Sequence, residues 1–264
     1  MPPHNAHMNP TSSPTPREHP APLNLRRALL ALALFTVSFG YVEAAVVAYL
    51  REIYQPLHAR LYPDRASDDL FPLITLDQLR SEGPHHIHCL NTELVREAAT
   101  LIMLAAAALA VAPTFRTWLA AFSIVFGLWD ISFYVFLKLL LDWPNSLLTW
   151  DLLFLLPVPW VGPVLAPVLV SLAMVAAGTV TLYRESAGQP IPLRARHWLS
   201  ASIGGLLIVL AFGWDFPNTS AGRDPNPFHW PLFALGLAVG LTAFLHAAFR
   251  NPSAHADHRH TPRD

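Results

Sequence analysis

Phe126–Pro167 reads FGLWDISFYVFLKLLLDWPNSLLTWDLLFLLPVPWVGPVLAP. Its first part is apolar for long enough to cross a bilayer as a helix, which takes about 20 residues, yet it carries Asp130. Asp142-Trp143-Pro144 closes the run, because proline lacks the N–H that would continue a helix. A second Trp-Asp pair, Trp150-Asp151, then opens an apolar segment broken by Pro157, Pro159, Pro163 and Pro167. This pattern predicts a short helix over 147–156, a non-helical PVPWVGP turn, and another spanning helix over 161–183. Backbone groups freed by prolines at membrane depth must be buried in protein or line a wet cavity.

The rest of the chain frames that stretch. Only 13% of its 264 residues are charged and 53% are apolar, against about 25% charged in soluble domains. A net charge of −1 with scattered arginines offers no footprint for nucleic acid. Cys89 is the only cysteine, which excludes an intrachain disulfide and a Cys-based zinc site. One lysine against sixteen arginines fits the coding bias of a GC-rich bacterial genome. The apolar run after Arg26-Arg27 is too long for a signal peptide, contains Glu43 and leads to no small-residue cleavage site.

Six spans are expected, at 25–50, 92–111, 116–141, 161–183, 197–214 and 230–249. A polar outer loop at 51–91 separates the first two. Residues 1–24 and 251–264 are polar, with few large apolar side chains, and are expected as disordered tails. The fold class is all-α: a polytopic integral membrane bundle of about six helices, with a proline-broken short segment before the fourth. With the N-terminus inside, the cytoplasmic segments hold ten arginines against four acids, and the outer segments hold twelve acids against seven bases. The positive-inside rule therefore puts both termini in the cytoplasm, at a bacterial inner membrane.

Two acids stand inside spans, and their surroundings match. Phe39-Gly40 aligns with Phe126-Gly127, Glu43 with Asp130, and Arg51 with Lys138. Each acid precedes its base by eight residues, which puts it roughly 12 Å along the helix axis from the interface. An ionised acid there costs about 2.5 kcal/mol or more, so it should face the bundle interior with a partner or a proton. Glu93, Arg96 and Glu97 recur at helical spacing on one face of the second span. They form a solvated helix end, or Arg96 reaches inward as counter-ion to Glu43 or Asp130. Asp151 is the sixth candidate, with an N-cap role as the plainer reading. His85, His86 and His88 beside Cys89 are weak metal candidates, since the three histidines form no i, i+4 pair and match no known loop signature. His246 reads as a single interfacial histidine.

The Glu93–Glu97 stretch ELVRE is similar to the EExxxR motif of CAAX-type membrane proteases. The double Glu is absent, however, and Thr242 stands where that family has a phenylalanine before its histidine, so the family is excluded. The FGLWD and LLTWDLLFLLPVPWVGP stretches resemble a family of bacterial multi-pass membrane proteins whose activity is uncharacterised. The likeness implies a helical membrane bundle and no reaction.

Three functions fit. The first is a solute- or ion-binding transport protein with a buried acidic site open to the outer face. Six helices are few for a transporter acting alone, so it would work as a homodimer in the lipid bilayer. The second is a membrane-embedded hydrolase or transferase acting on a lipid or lipid-linked substrate, with the carboxylates holding a divalent cation. The third is a scaffold in which the acids only pin helices.

Overall fold

The computed structural model describes residues 25–66 and 69–249. The tails expected at 1–24 and 251–264 lie outside them. The elements in chain order are α1 (Leu25–Leu61), α2 (Leu76–Glu82), α3 (Pro84–Leu109), α4 (Phe115–Leu141), β1 (Trp150–Phe154), β2 (Trp160–Pro163), α5 (Leu165–Ser186), α6 (Ala195–Gly213), α7 (Phe216–Thr219) and α8 (Trp230–Phe249).

Among the described residues five helices are long and apolar enough to cross a membrane: α1, α4, α5, α6 running on into α7, and α8. The expected count of about six differs at α3. Its 26 residues are long enough, but the part from Pro84 to Glu97 carries three histidines, Glu93, Arg96 and Glu97.

Most of the polar loop expected at 51–91 is helical. α1 continues unbroken through Pro56 to Leu61. α2 starts where Thr75 and Gln78 form a reciprocal cap, the Thr75 hydroxyl accepting from Gln78 N at 3.2 Å and Gln78 Oε1 from Thr75 N at 2.8 Å. Pro84 stands at the start of α3, where its missing N–H costs nothing. The histidine run is therefore part of a helix.

The short helix expected over 147–156 is instead β1. It pairs antiparallel with β2, Asp151 opposite Gly162, with an irregularity between Leu152 and Phe154. Pro157 and Pro159 remove N–H donors that a helix through this segment would need, so the chain turns back on itself. The N-cap reading of Asp151 falls with that helix. α5 accordingly begins at Leu165 rather than at 161.

α4 is the central helix. It packs against α1 on one side and α5 on the other, with α3 returning alongside it. Trp118 Nε1 donates to Ala105 O at 3.0 Å, tying α3 to α4 near the end remote from the hairpin. α6 and α8 form a separate pair that meets α5 along a narrow seam and touches β2. A space is left between the two groups beneath the hairpin.

The α4–α5 contact depends on a missing side chain. A Cβ at Gly127 would stand 2.6 Å from Ser171 O and 2.7 Å from Val175 Cγ2. Small residues let membrane helices approach this closely. Gly127→Ala is expected to destabilise the bundle by about 1–3 kcal/mol through overpacking. Gly213→Ala, where a Cβ meets nothing within 4 Å, should leave stability nearly unchanged. Melting curves in detergent micelles check the pair; equal melting temperatures would show that α4 and α5 can separate freely.

Candidate functional site

The aligned segments of the two acid-bearing helices share a local design. A Cβ at Gly40 would come 2.7 Å from Ser132 Cβ, so α1 lies tight on α4 there, as α4 lies on α5 at Gly127. One turn beyond each glycine stands a buried acid, Glu43 or Asp130. Both acids line one cavity of about 270 Å³, bounded by α1, α3, α4, α5, α6 and the hairpin.

Arg96 is the hub of its polar end. Its Nε donates to Glu93 Oε2 at 2.8 Å and its Nη2 to Glu93 Oε1. Its Nη1 donates to Glu43 Oε2 at 2.6 Å and to Thr100 Oγ1 at 3.2 Å. The inward reading of Arg96 therefore holds with Glu43 as its partner, and the guanidinium joins α3 to α1. Thr100 was missed by sequence reasoning, although its i+4 spacing from Arg96 was a usable signal.

Glu97 has a different task. Both its oxygens accept the backbone N–H of Leu155, at 3.1 and 3.0 Å. Leu155 starts the turn between β1 and β2, and Phe154 lies 6.3 Å from Trp129 between ring centroids. The hairpin thus dips among the helices to the level of the buried acids. Its exposed backbone donors need protein acceptors at that depth. Glu97 supplies one, while Pro157 and Pro159 have no donor to satisfy.

Asp130 accepts from Ser171 Oγ at 2.7 Å through Oδ2. Its Oδ1 receives no hydrogen bond among the described residues. Ser171 gave no sequence signal, being one of several hydroxyls in an apolar helix. The neighbouring Trp129 is also buried, and its indole N–H has no acceptor among the described residues.

Asp151 is buried but does not line the cavity. It stands behind Tyr134, whose hydroxyl donates to Oδ2 at 2.9 Å, while Leu152 N donates to Oδ1 at 2.9 Å. Burial pushes its carboxyl up from 3.8 to about 6, against the opposing pull of the Tyr134 hydroxyl, the Arg51 charge and the Leu152 N–H. The Arg51 guanidinium lies 4.1 Å from the ring centre of the buried Trp143.

The sign of the pH effect follows from that rise. Between about pH 4 and 6 the folded chain keeps a proton that the unfolded chain has released. Stability from this group is full below the unfolded value and is lost as pH rises through the folded one. Asp151→Asn should flatten the fall in melting temperature across that window, by the equivalent of about 2 kcal/mol. Identical pH–stability curves for the two proteins would remove Asp151 as a buried titrating group.

His85, His86 and His88 do not assemble into a metal centre. The His85 and His86 rings lie with centroids 3.8 Å apart and planes tilted by 39°, and His88 is exposed. Among the described residues no three His, Cys, Asp or Glu side chains gather around a point that would hold a metal ion. His246, read as single, meets His197, with Nε2 of His197 3.2 Å from Nδ1 of His246 at the far end of the bundle.

Compared with protein-family models, curated proteins and solved structures, the chain matches none.

Proposed function

We propose that this multi-pass membrane protein binds a solute or ion in the cavity beneath the β1–β2 hairpin and moves it across the bilayer in exchange for protons. The supporting observation is that Glu43 and Asp130, on helices packed directly together, line one cavity under a non-helical segment. Buried carboxylates take a counter-ion or a proton, and irregular backbone at membrane depth is typical of solute paths.

In this reading α3 is a sixth crossing. It runs back beside α4 from Glu97, near the hairpin, to Ala105, near Trp118. Both termini then share one side, the cytoplasmic side of a bacterial inner membrane by arginine bias. The hairpin end faces outward, and two copies form the transporting unit.

The lipid-active enzyme draws less support. Of the four carboxylates it would use as acid/base groups or as ligands of a divalent cation, Glu43 and Glu93 are engaged by Arg96 and Glu97 by the hairpin amide, which leaves Asp130. The scaffold reading gains from the Arg96 link between α1 and α3. The two remaining readings part in proteoliposomes with a trapped pH-sensitive dye. Transport predicts a cation-driven pH change that Glu43→Gln or Asp130→Asn abolishes in protein that still melts cooperatively. Folded wild type giving no flux with any probe cation would leave the scaffold reading.

A further inference from the structure

Deepening the solute-binding reading on which it rests, we infer that the bound solute is a small organic monocation, an amine with an apolar body, whose charged nitrogen is held by Asp130. Among the described residues, the ionisable groups lining the cavity from α1, α3 and α4 are Glu43, Glu93, Glu97, Asp130 and Tyr134, against the single cation Arg96. Arg96 is already shared between Glu93 and Glu43, so it has little charge left for an anionic solute. Glu97 is turned to the hairpin amide. Asp130 is only 7% exposed, and it is the lining carboxylate with one oxygen bound to a neutral hydroxyl and the other without a protein donor. A carboxylate taken out of water in that state calls for a cation or a proton.

The walls select the kind of cation. Phe126, Trp129, Phe133, Phe154, Trp160 and Phe212 line the same space. Aromatic faces attract ammonium groups and also cover an apolar body. A bare metal cation would need several oxygen ligands to replace its water; among the described residues Ser171 is the one side chain bonded to Asp130, while Glu43 and Glu97 already serve Arg96 and the hairpin amide. The volume of about 270 Å³ is room for about nine water-sized groups, which fits a compact amine.

Isothermal titration of the full chain in detergent micelles tests this with phenethylamine, isobutylamine and tetramethylammonium. The neutral isosteres 2-phenylethanol and isobutanol, together with sodium and potassium chloride, are the comparisons. At least one amine should bind ten times or more tightly than its neutral isostere, and Asp130→Asn should remove that preference while Asp77→Asn, at an exposed position, keeps it. If Asp130→Asn fails to fold, the amine-to-alcohol ratio on wild type decides alone. Equal binding of amine and alcohol, or an amine preference that survives in folded Asp130→Asn, overturns the inference. Binding of sodium or potassium alone, lost in Asp130→Asn, overturns the organic class and leaves the ion-binding reading standing. No binding by any probe, with no proton flux in proteoliposomes, overturns both.

Discussion

Arg96→Ala should destabilise the protein more than any other loss of a single charge in the bundle, by about 3 kcal/mol or more. The substitution leaves Glu43, buried on α1, and Glu93, largely covered on α3, without the guanidinium that bonds both. Removing one partner of a buried pair is far worse than removing both, because an uncompensated charge stays behind. The double variant Arg96→Ala/Glu43→Gln should therefore recover part of the loss. Arg96→Lys keeps the charge but not the fork that reaches Glu93 twice and Glu43 once, so it should fall between the two. Arg80 makes a comparable contact with Asp77, but at the exposed surface, where an ion pair is worth about 1 kcal/mol at most. Unfolding curves in micelles make the comparison. Equal, small losses for Arg96→Ala and Arg80→Ala would show that Arg96 is only a solvated helix residue.

Asp130→Asn should reduce cation-driven flux at least tenfold while leaving the fold intact. The amide keeps an oxygen to accept from Ser171, so the α4–α5 contact loses little. What disappears is the charge that a bound cation or proton neutralises, and each tenfold loss corresponds to about 1.4 kcal/mol of binding. Asp142→Asn is the matched control. Asp142 ends α4 at the exposed surface beside Lys138, well away from the cavity, and its loss should not change flux. A folded Asp130→Asn protein with wild-type flux would assign the buried acid to helix pairing.

How far these features were legible depended on how local their causes are. Asp130 and Glu43 stood out because a charge inside an apolar run is costly wherever the helix packs. The matching Phe-Gly pairs ahead of them were visible too, and the structure gives both glycines the same use at a helix contact. Arg96 was legible as a candidate by spacing, but its choice of Glu43 over Asp130 depends on where α3 lies against α1, and that is tertiary. The hairpin was not legible as a hairpin. Leu152–Leu156 is as apolar as the helices around it, and short apolar runs do not distinguish strand from helix. What settles it is the pairing with Trp160–Pro163 and the Glu97 carboxylate waiting for a strand-end amide. Ser171 was invisible because its partner lies 41 residues away. The polar start of α3 reads as part of a loop because of the prolines and acids ahead of it, although Pro84 is a helix-starting proline.

Charge-selective labelling of the cavity wall offers the most direct experiment. Val170 lines the cavity from α5, and Cys89 is the only native cysteine, so Val170→Cys in a Cys89→Ser background places one reactive thiol there. The trimethylammonium methanethiosulfonate should modify it many times faster than the sulfonate reagent of similar size, and Asp130→Asn should erase most of that difference. A thiol that neither reagent reaches, or one that the anionic reagent modifies first, would contradict a solvent-reached acidic site beneath the hairpin.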